Sequence, residues 1–225
     1  MPILDKINVS IGLDELRKRL HMGKDSDMSE IQALIEVAVP LIKPRALYDV
    51  HYIEDKTEDA VSVNGRQLKS RVLRKNLDQV VRVFPFVITL GPELGEKIAA
   101  TADLLESFYL DTIGNVALTS ARKHLKRHLK SQFALEKISS MAPGSLADWP
   151  IEEQAPLFEL LGDVETSIGV KLTDSLVMLP AKSISGIYFP TEASFFSCQL
   201  CPRKRCELRK AKYDAKLAEK YGIKK

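Results

Sequence analysis

The sequence predicts one mixed domain of helices and strands over residues 1–190, followed by a short cysteine-bearing appendix over residues 191–225. Three observations carry this reading. The 225 residues suit a single large domain, and 45% hydrophobic with 28% charged residues is an ordinary globular composition. Helical and strand-like periodicities alternate along the chain, with no internal repeat or low-complexity tract. All three cysteines fall inside the nine residues from Cys198 to Cys206.

Two short helices open the chain. "LDELRKRLHM" sets Leu13, Leu16 and Leu20 at helical spacing, and "SEIQALIEVAVPLI" starts at Ser29, a good capping residue, with Ile31, Leu34 and Ile35 on one face. Pro40 and Pro44 punctuate its end. "RALYDVHYIEDK" and "AVSVNG" read as two strands, the second closing on an Asn-Gly turn signal, and "LKSRVLRKNLDQ" reads as a helix. "VRVFPFVITLGPELGEKIAATA" is a strand-turn-helix unit, with Glu93 at the positive end of its helix. A long helix follows over 102–133, with Leu105, Tyr109, Ile113, Val116 and Leu125 as its apolar positions and a basic second half, "RKHLKRHLK". After the irregular stretch "SSMAPGSLADWP", "IEEQAPLFELL" resumes a helix, and "TDSLVMLPAKSISGIYFP" gives two strands around a Pro-Ala-Lys turn.

Composition excludes several classes. No apolar run approaches the ~20 residues that span a bilayer. The N-terminus lacks a basic region followed by an apolar core, so no secretory leader is expected. An odd number of cysteines in a chain of this size points to a reducing, cytoplasmic setting. From Arg203 onward there are ten Lys or Arg against three Asp or Glu, although the whole chain carries only +3. That tail reads as a solvated basic helix; contact with an acidic partner or nucleic acid is the alternative.

Cys198, Cys201 and Cys206 have the spacing C-x2-C-x4-C. Thiolates so placed suit an iron–sulfur centre or, as the alternative, zinc. Neither set is complete from this segment, because His21, His51, His124 and His128 all lie far from it in sequence. Arg203, Lys204 and Arg205 would offset a cluster's negative charge. Unligated thiols in a loop are the plain reading. His124 and His128, one helical turn apart among Lys and Arg, read as a solvated basic face rather than a metal pair. No G-x-S-x-G elbow, P-loop or dinucleotide fingerprint occurs, which removes the common hydrolase, kinase and dehydrogenase classes. The Gly- and Pro-rich "MAPGSLADWP" reads as a connector, or as a loop exposing backbone groups to a small ligand.

The order "TLGPEL", "YLDTIGNVA", "APG…DWP-IEEQ" and "IGVKLTDSLVMLPAKSISGIYF" resembles the activation domain of cobalamin-dependent methionine synthase, in its short stand-alone form with a C-terminal cysteine cluster. The resemblance implies an α+β fold, a twisted and mainly antiparallel sheet flanked by helices. It also implies an accessory role in reductive activation of, or methyl transfer to, a cobalamin-dependent methionine synthase or related corrinoid methyltransferase. The partner would be a cobalamin-binding methyltransferase protein, served by an electron donor. S-adenosylmethionine would bind around Ala142, Pro143, Gly144 and Tyr188. Such a domain acts by positioning, and the cofactors carry the chemistry.

The sequence departs from the family's pattern in three places. Ser140 stands where the family has the arginine that grips the ligand's carboxylate, Ser145 stands in place of a tyrosine, and no acidic residue lies between Asn115 and Thr119. Loss of a charge-assisted arginine contact costs ~2–3 kcal/mol. Two rival readings remain open: an iron–sulfur redox protein on this fold that ignores S-adenosylmethionine, and a zinc-stabilised module whose basic tail meets nucleic acid.

Overall fold

The computed structural model describes residues 1–206 and 209–223. The chain begins with β1 (Ile3–Leu4), α1 (Leu13–Arg19) and α2 (Ser29–Ala38), then β2 (Arg45–Tyr48), β3 (His51–Lys56), β4 (Ala60–Val63), β5 (Arg66–Lys69) and α3 (Arg71–Asn76). The middle holds β6 (Arg82–Thr89), α4 (Glu93–Ala100), α5 (Leu104–Gln132) and β7 (Ile138–Met141). Last come α6 (Gln154–Glu159), α7 (Val164–Ile168), β8 (Lys171–Leu172), β9 (Met178–Leu179), β10 (Ser183–Pro190) and α8 (Ala215–Lys220). The main sheet is antiparallel at every pairing and flanked by helices, the α+β class expected.

Strand β6 is the axis of that sheet. Along one edge it pairs with β10 from Phe84 to Thr89. Along the other it pairs with β3 at Arg82 and Val83 and with β2 from Phe86 to Thr89. Pro85 falls where the second partner changes, and there its carbonyl accepts from Asp49 N at 3.2 Å. A proline in a central strand is tolerated at such a break, because no ladder donor is demanded of it.

Alternation then sends β6 side chains into separate cores. Phe84, Phe86 and Ile88 join Leu16, Ile31 and the buried stripe of α5 from Leu110 to Leu129. On the opposite face Val83 meets Leu73, Trp149, Ile187 and Phe189, and Val87 packs with Leu47, Phe158 and Ile168. The strand is buried on both faces, which explains its unbroken apolar run.

Several boundaries differ from the sequence expectations for local reasons. Asn64 and Gly65 take positive φ of 47° and 70° and close a β4–β5 hairpin. Leu68 and Lys69 therefore lie in a strand, and the helix expected over "LKSRVLRKNLDQ" is confined to α3. Ser29 is not the cap of α2; the cap is Met28, and Asp27 accepts from the Ser29 backbone at 2.9 Å. Asp103 caps α5 by accepting from Leu105 N and Glu106 N. Leu105 itself stays 53% exposed, so the core-facing stripe starts one turn later than its spacing suggested.

The cysteine-bearing segment is tied into this architecture. Phe195, Leu200 and Ala218 are buried in the core that holds Trp149 and Ile187. Tyr221 Oη donates to Asn76 Oδ1 at 3.3 Å, linking α8 to α3. No helix among the described residues is long and apolar enough to cross a membrane.

Gly186 faces Phe86 across the β10–β6 pair, and a Cβ there would lie 2.7 Å from the Met141 carbonyl and 3.1 Å from the Phe86 ring. Gly186→Ala is expected to lose about 1–3 kcal/mol in urea unfolding through this overpacking. Gly95, with nothing within 4 Å of its added Cβ, supplies the control. Gly95→Ala in α4 is expected to gain about 0.4–1 kcal/mol.

Candidate functional site

The loop that follows β7 is held from three directions. Trp149 is 0% exposed and its backbone N donates to Leu146 O at 3.1 Å, which anchors the loop in the core. Asp148 accepts from Ser70 Oγ at 2.6 Å and Val72 N at 2.9 Å, so its carboxylate sits on the positive end of α3. Gly144 N donates to Trp149 O at 2.8 Å and closes the loop on itself.

Gly144 is exposed, with φ at +75°, and an added Cβ would meet Ile151 Cδ1 at 3.1 Å. Glycine is therefore required by the turn itself. Pro143 is buried, Ala142 is partly buried, and the Ala142 carbonyl accepts from Ser145 Oγ at 2.6 Å. Three of the four residues expected to hold a ligand thus share one anchored loop.

Tyr188 is placed differently. It is 1% exposed and stacks on Phe86 with ring centroids 4.6 Å apart. Its hydroxyl donates to the carbonyl of Arg122 at 3.2 Å. Burial pushes the phenol up, with Arg122 opposing. Tyr188 steadies α5 from beneath, and any influence on a ligand passes through Arg122.

Arg122 is the residue that sequence reasoning missed. Its Nη2 donates to Ser140 Oγ at 2.7 Å, and Ser140 pairs with Tyr188 across the β7–β10 ladder. The long helix thus brings a cation onto the Ser140 side chain. The available signal lay in "SARKHLKRHLK": Ala121, Leu125 and Leu129 are buried, so Arg122 stands one position from the core stripe and not on an outer face.

An acid in α5, Asp111, is also present one turn before Asn115, but it is occupied. Lys182, 8% exposed, donates to Asp111 Oδ1 at 2.6 Å and Asn115 Oδ1 at 2.9 Å, while Asn115 Nδ2 donates to Asp111 Oδ2 at 2.9 Å. Gly114 makes room for this, since a Cβ there would approach Lys182 Cε to 3.1 Å. Asp111 neutralises a buried lysine of the protein itself.

The basic half of α5 is not uniformly solvated. His128 Nε2 lies 2.9 Å from Tyr48 Oη, and the two rings meet edge-on. Burial, Arg127 and His128 together hold the His124 imidazole below its ordinary range.

The three cysteines lie on one partly buried loop without converging. Cys198 Sγ accepts from Lys210 N at 3.4 Å, whereas Cys201 packs against the second core. All three are free thiols, and among the described residues no group of three His, Cys, Asp or Glu side chains could hold a metal ion. Arg209 braces the loop by donating to the carbonyls of Cys198 and Cys201 at 3.2 and 3.4 Å and to that of Arg203.

Comparison with known proteins bears on this geometry. No curated protein matches the chain. Residues 121–212 match the family described as vitamin B12 dependent methionine synthase, activation domain. The match begins beside Arg122, takes in the Gly144 loop and β10, and crosses residue 190 into the basic tail. Among solved structures, the crystal structure of the MetH reactivation domain bound to AdoHcy aligns with a TM-score of 0.55 and 16% identity, covering 87% of this chain and 82% of that one. At that identity the alignment speaks for the fold. Residues 121–212 are thus similar in sequence to the activation domain of vitamin B12 dependent methionine synthase, and most of the chain shares the fold of the MetH reactivation domain.

Proposed function

We propose that the protein is an accessory component in the reductive activation of a cobalamin-dependent methionine synthase or related corrinoid methyltransferase, and that it binds S-adenosylmethionine at the Ala142–Gly144 loop. The observation that carries the second half is the Arg122 guanidinium, 2.7 Å from Ser140 Oγ and adjacent to that loop. A carboxylate docked there meets a forked, permanently charged donor. Ala142, Pro143 and Gly144 supply backbone groups and an open approach. Tyr188 acts beneath them by fixing the turn of α5 that carries Arg122.

The solved relative was crystallised with AdoHcy, which shares the amino-acid end of S-adenosylmethionine. That end is what the Arg122 side of the loop would recognise. When bound, the ligand supplies the methyl group and cobalamin on the partner receives it; this chain binds, orients and shields. The partner is a cobalamin-bearing protein, with the electron delivered by a separate donor, and the setting is cytoplasmic. The C-x2-C-x4-C spacing of Cys198, Cys201 and Cys206 is what supports them as ligands of an iron–sulfur centre, with zinc the alternative.

Arg122→Gln is expected to weaken S-adenosylmethionine binding by ~50-fold in calorimetry, corresponding to the ~2–3 kcal/mol of a charge-assisted contact. An unchanged affinity would remove Arg122 and the loop from the site. Gly144 is the poorer probe, because its positive φ makes substitution strain the turn by about 1 kcal/mol regardless of any ligand.

Iron, acid-labile sulfide and zinc are to be assayed in protein purified without oxygen. Iron with sulfide is expected in the wild type and background levels in Cys201→Ser. Zinc in their place would favour the structural alternative. Metal-free wild-type protein would discard the cluster and leave the loop as a braced structural element.

A further inference from the structure

The corner between α4 and α5 is apolar and uncovered. Leu104 is 87% exposed, Leu105 and Phe108 are each 53% exposed, and Ala99, Ala100 and Ala102 lie open beside them. By helical spacing, Leu104, Leu105 and Phe108 stand on the side of α5 away from its buried stripe of Leu110, Ile113, Gly114 and Ala117. Their exposure is not that of a frayed end, because Asp103 caps the helix through Leu105 N at 2.8 Å and Glu106 N at 2.9 Å. A capped first turn holds the apolar face in place. With the alanines the face amounts to on the order of 400 Å², the size at which an exposed patch marks an interaction surface.

The charges around the face select its occupant. Asp103 sits on the positive end of α5, Glu106 meets Lys97 of α4 at 3.6 Å, and Asp111 in the next turn meets Lys182 at 2.6 Å. The face is therefore apolar at its centre, and the charges beside it are already compensated. A phosphate-bearing surface, lipid or nucleic acid, requires unmatched cations, which this rim does not offer. A partner chosen by charge would require a rim of one sign. In an isologous contact each rim must instead complement itself, and one cation beside one anion does so, with Lys97 of one protomer opposite Glu106 of its partner. Antiparallel crossing of the two α5 ends sets Phe108 of one protomer against Leu104 of its partner.

We infer that the α4–α5 corner is a twofold interface through which two copies of this chain associate. Two such faces with their rims bury about 1,000 Å² in total, the low end for specific association, so the dimer dissociates in the ~10–100 µM range. Leu104 precedes Arg122 by five helical turns, about 27 Å along α5. The Gly144 loop is left free in both protomers, and the interface does not depend on that loop binding anything.

Sedimentation equilibrium of the full chain between about 5 and 500 µM tests this, and the wild type is expected to follow a monomer–dimer equilibrium. Leu104→Ser/Phe108→Ser is expected to raise the dissociation constant by ~10-fold or more with an unchanged circular dichroism spectrum. Val81→Ser, which removes a side chain 68% exposed elsewhere on the surface, should change it by less than about twofold. Charge reversal gives a second measurement: Lys97→Glu and Glu106→Lys should each weaken association alone, and their equimolar mixture should restore it, because the twofold axis brings position 97 against position 106. A wild type that stays monomeric throughout overturns the inference, as does a dimer untouched by the double variant or a mixture that recovers nothing. Wild-type monomer floating with phosphatidylcholine–phosphatidylglycerol vesicles, with the double variant left behind, would assign the face to a lipid surface and overturn it too.

Discussion

Everything in this molecule depends on one strand being buried twice. β6 pairs along both edges and packs on both faces, so its side chains and its backbone are all committed. A strand in that position tolerates little variation, and the fold arranges the exceptions around it. Pro85 sits at the change of partner, and Gly186 on β10 yields its side-chain volume to the Phe86 ring. Each departure from ideal strand composition falls where the ladder or the packing leaves room for it.

That rigid axis is what gives the candidate site its geometry. β10 registers against β6 on one side and β7 on the other, and so sets Tyr188 opposite Ser140. Tyr188 then grips the backbone of α5 at Arg122, while Lys182 at the start of the same strand grips Asp111 eleven positions earlier on the helix. Two polar attachments at opposite ends of β10 fix both the rotation and the position of α5 along its axis. Arg122 reaches Ser140 as a consequence of this alignment. An arginine contributed by a helix in this way can substitute for one contributed by a strand, provided the guanidinium ends in the same place.

The tail belongs to this arrangement as much as the helices do. Leu200, Phe195 and Ala218 are core residues, and the intervening loop is braced by Arg209 on four backbone carbonyls. Lys210 follows Arg209 and donates its backbone N–H to Cys198 Sγ, and burial first, then the charge of Arg122, hold its ammonium down to about 8. A basic tail that reads as solvated in sequence is thus partly fixed against the fold.

The sequence by itself determined the local elements. The helix periods of α1, α2 and α5, the Asn64–Gly65 turn, the apolar run of β6 and the irregularity of the Gly144 loop follow from short-range sterics and hydrophobic spacing. Motif order also made the resemblance to the methionine synthase activation domain legible. Only the tertiary structure decided which side chains meet. Arg122 and Ser140 are 18 residues apart, Lys182 and Asp111 are 71 apart, and Tyr188 and Arg122 are 66 apart. Nothing within a window of one helix or strand marks such pairs, because contacts of this kind are created by strand register and helix rotation. For the same reason three cysteines within nine residues suggested convergence, while the fold sends one thiol towards a backbone amide and another into the core.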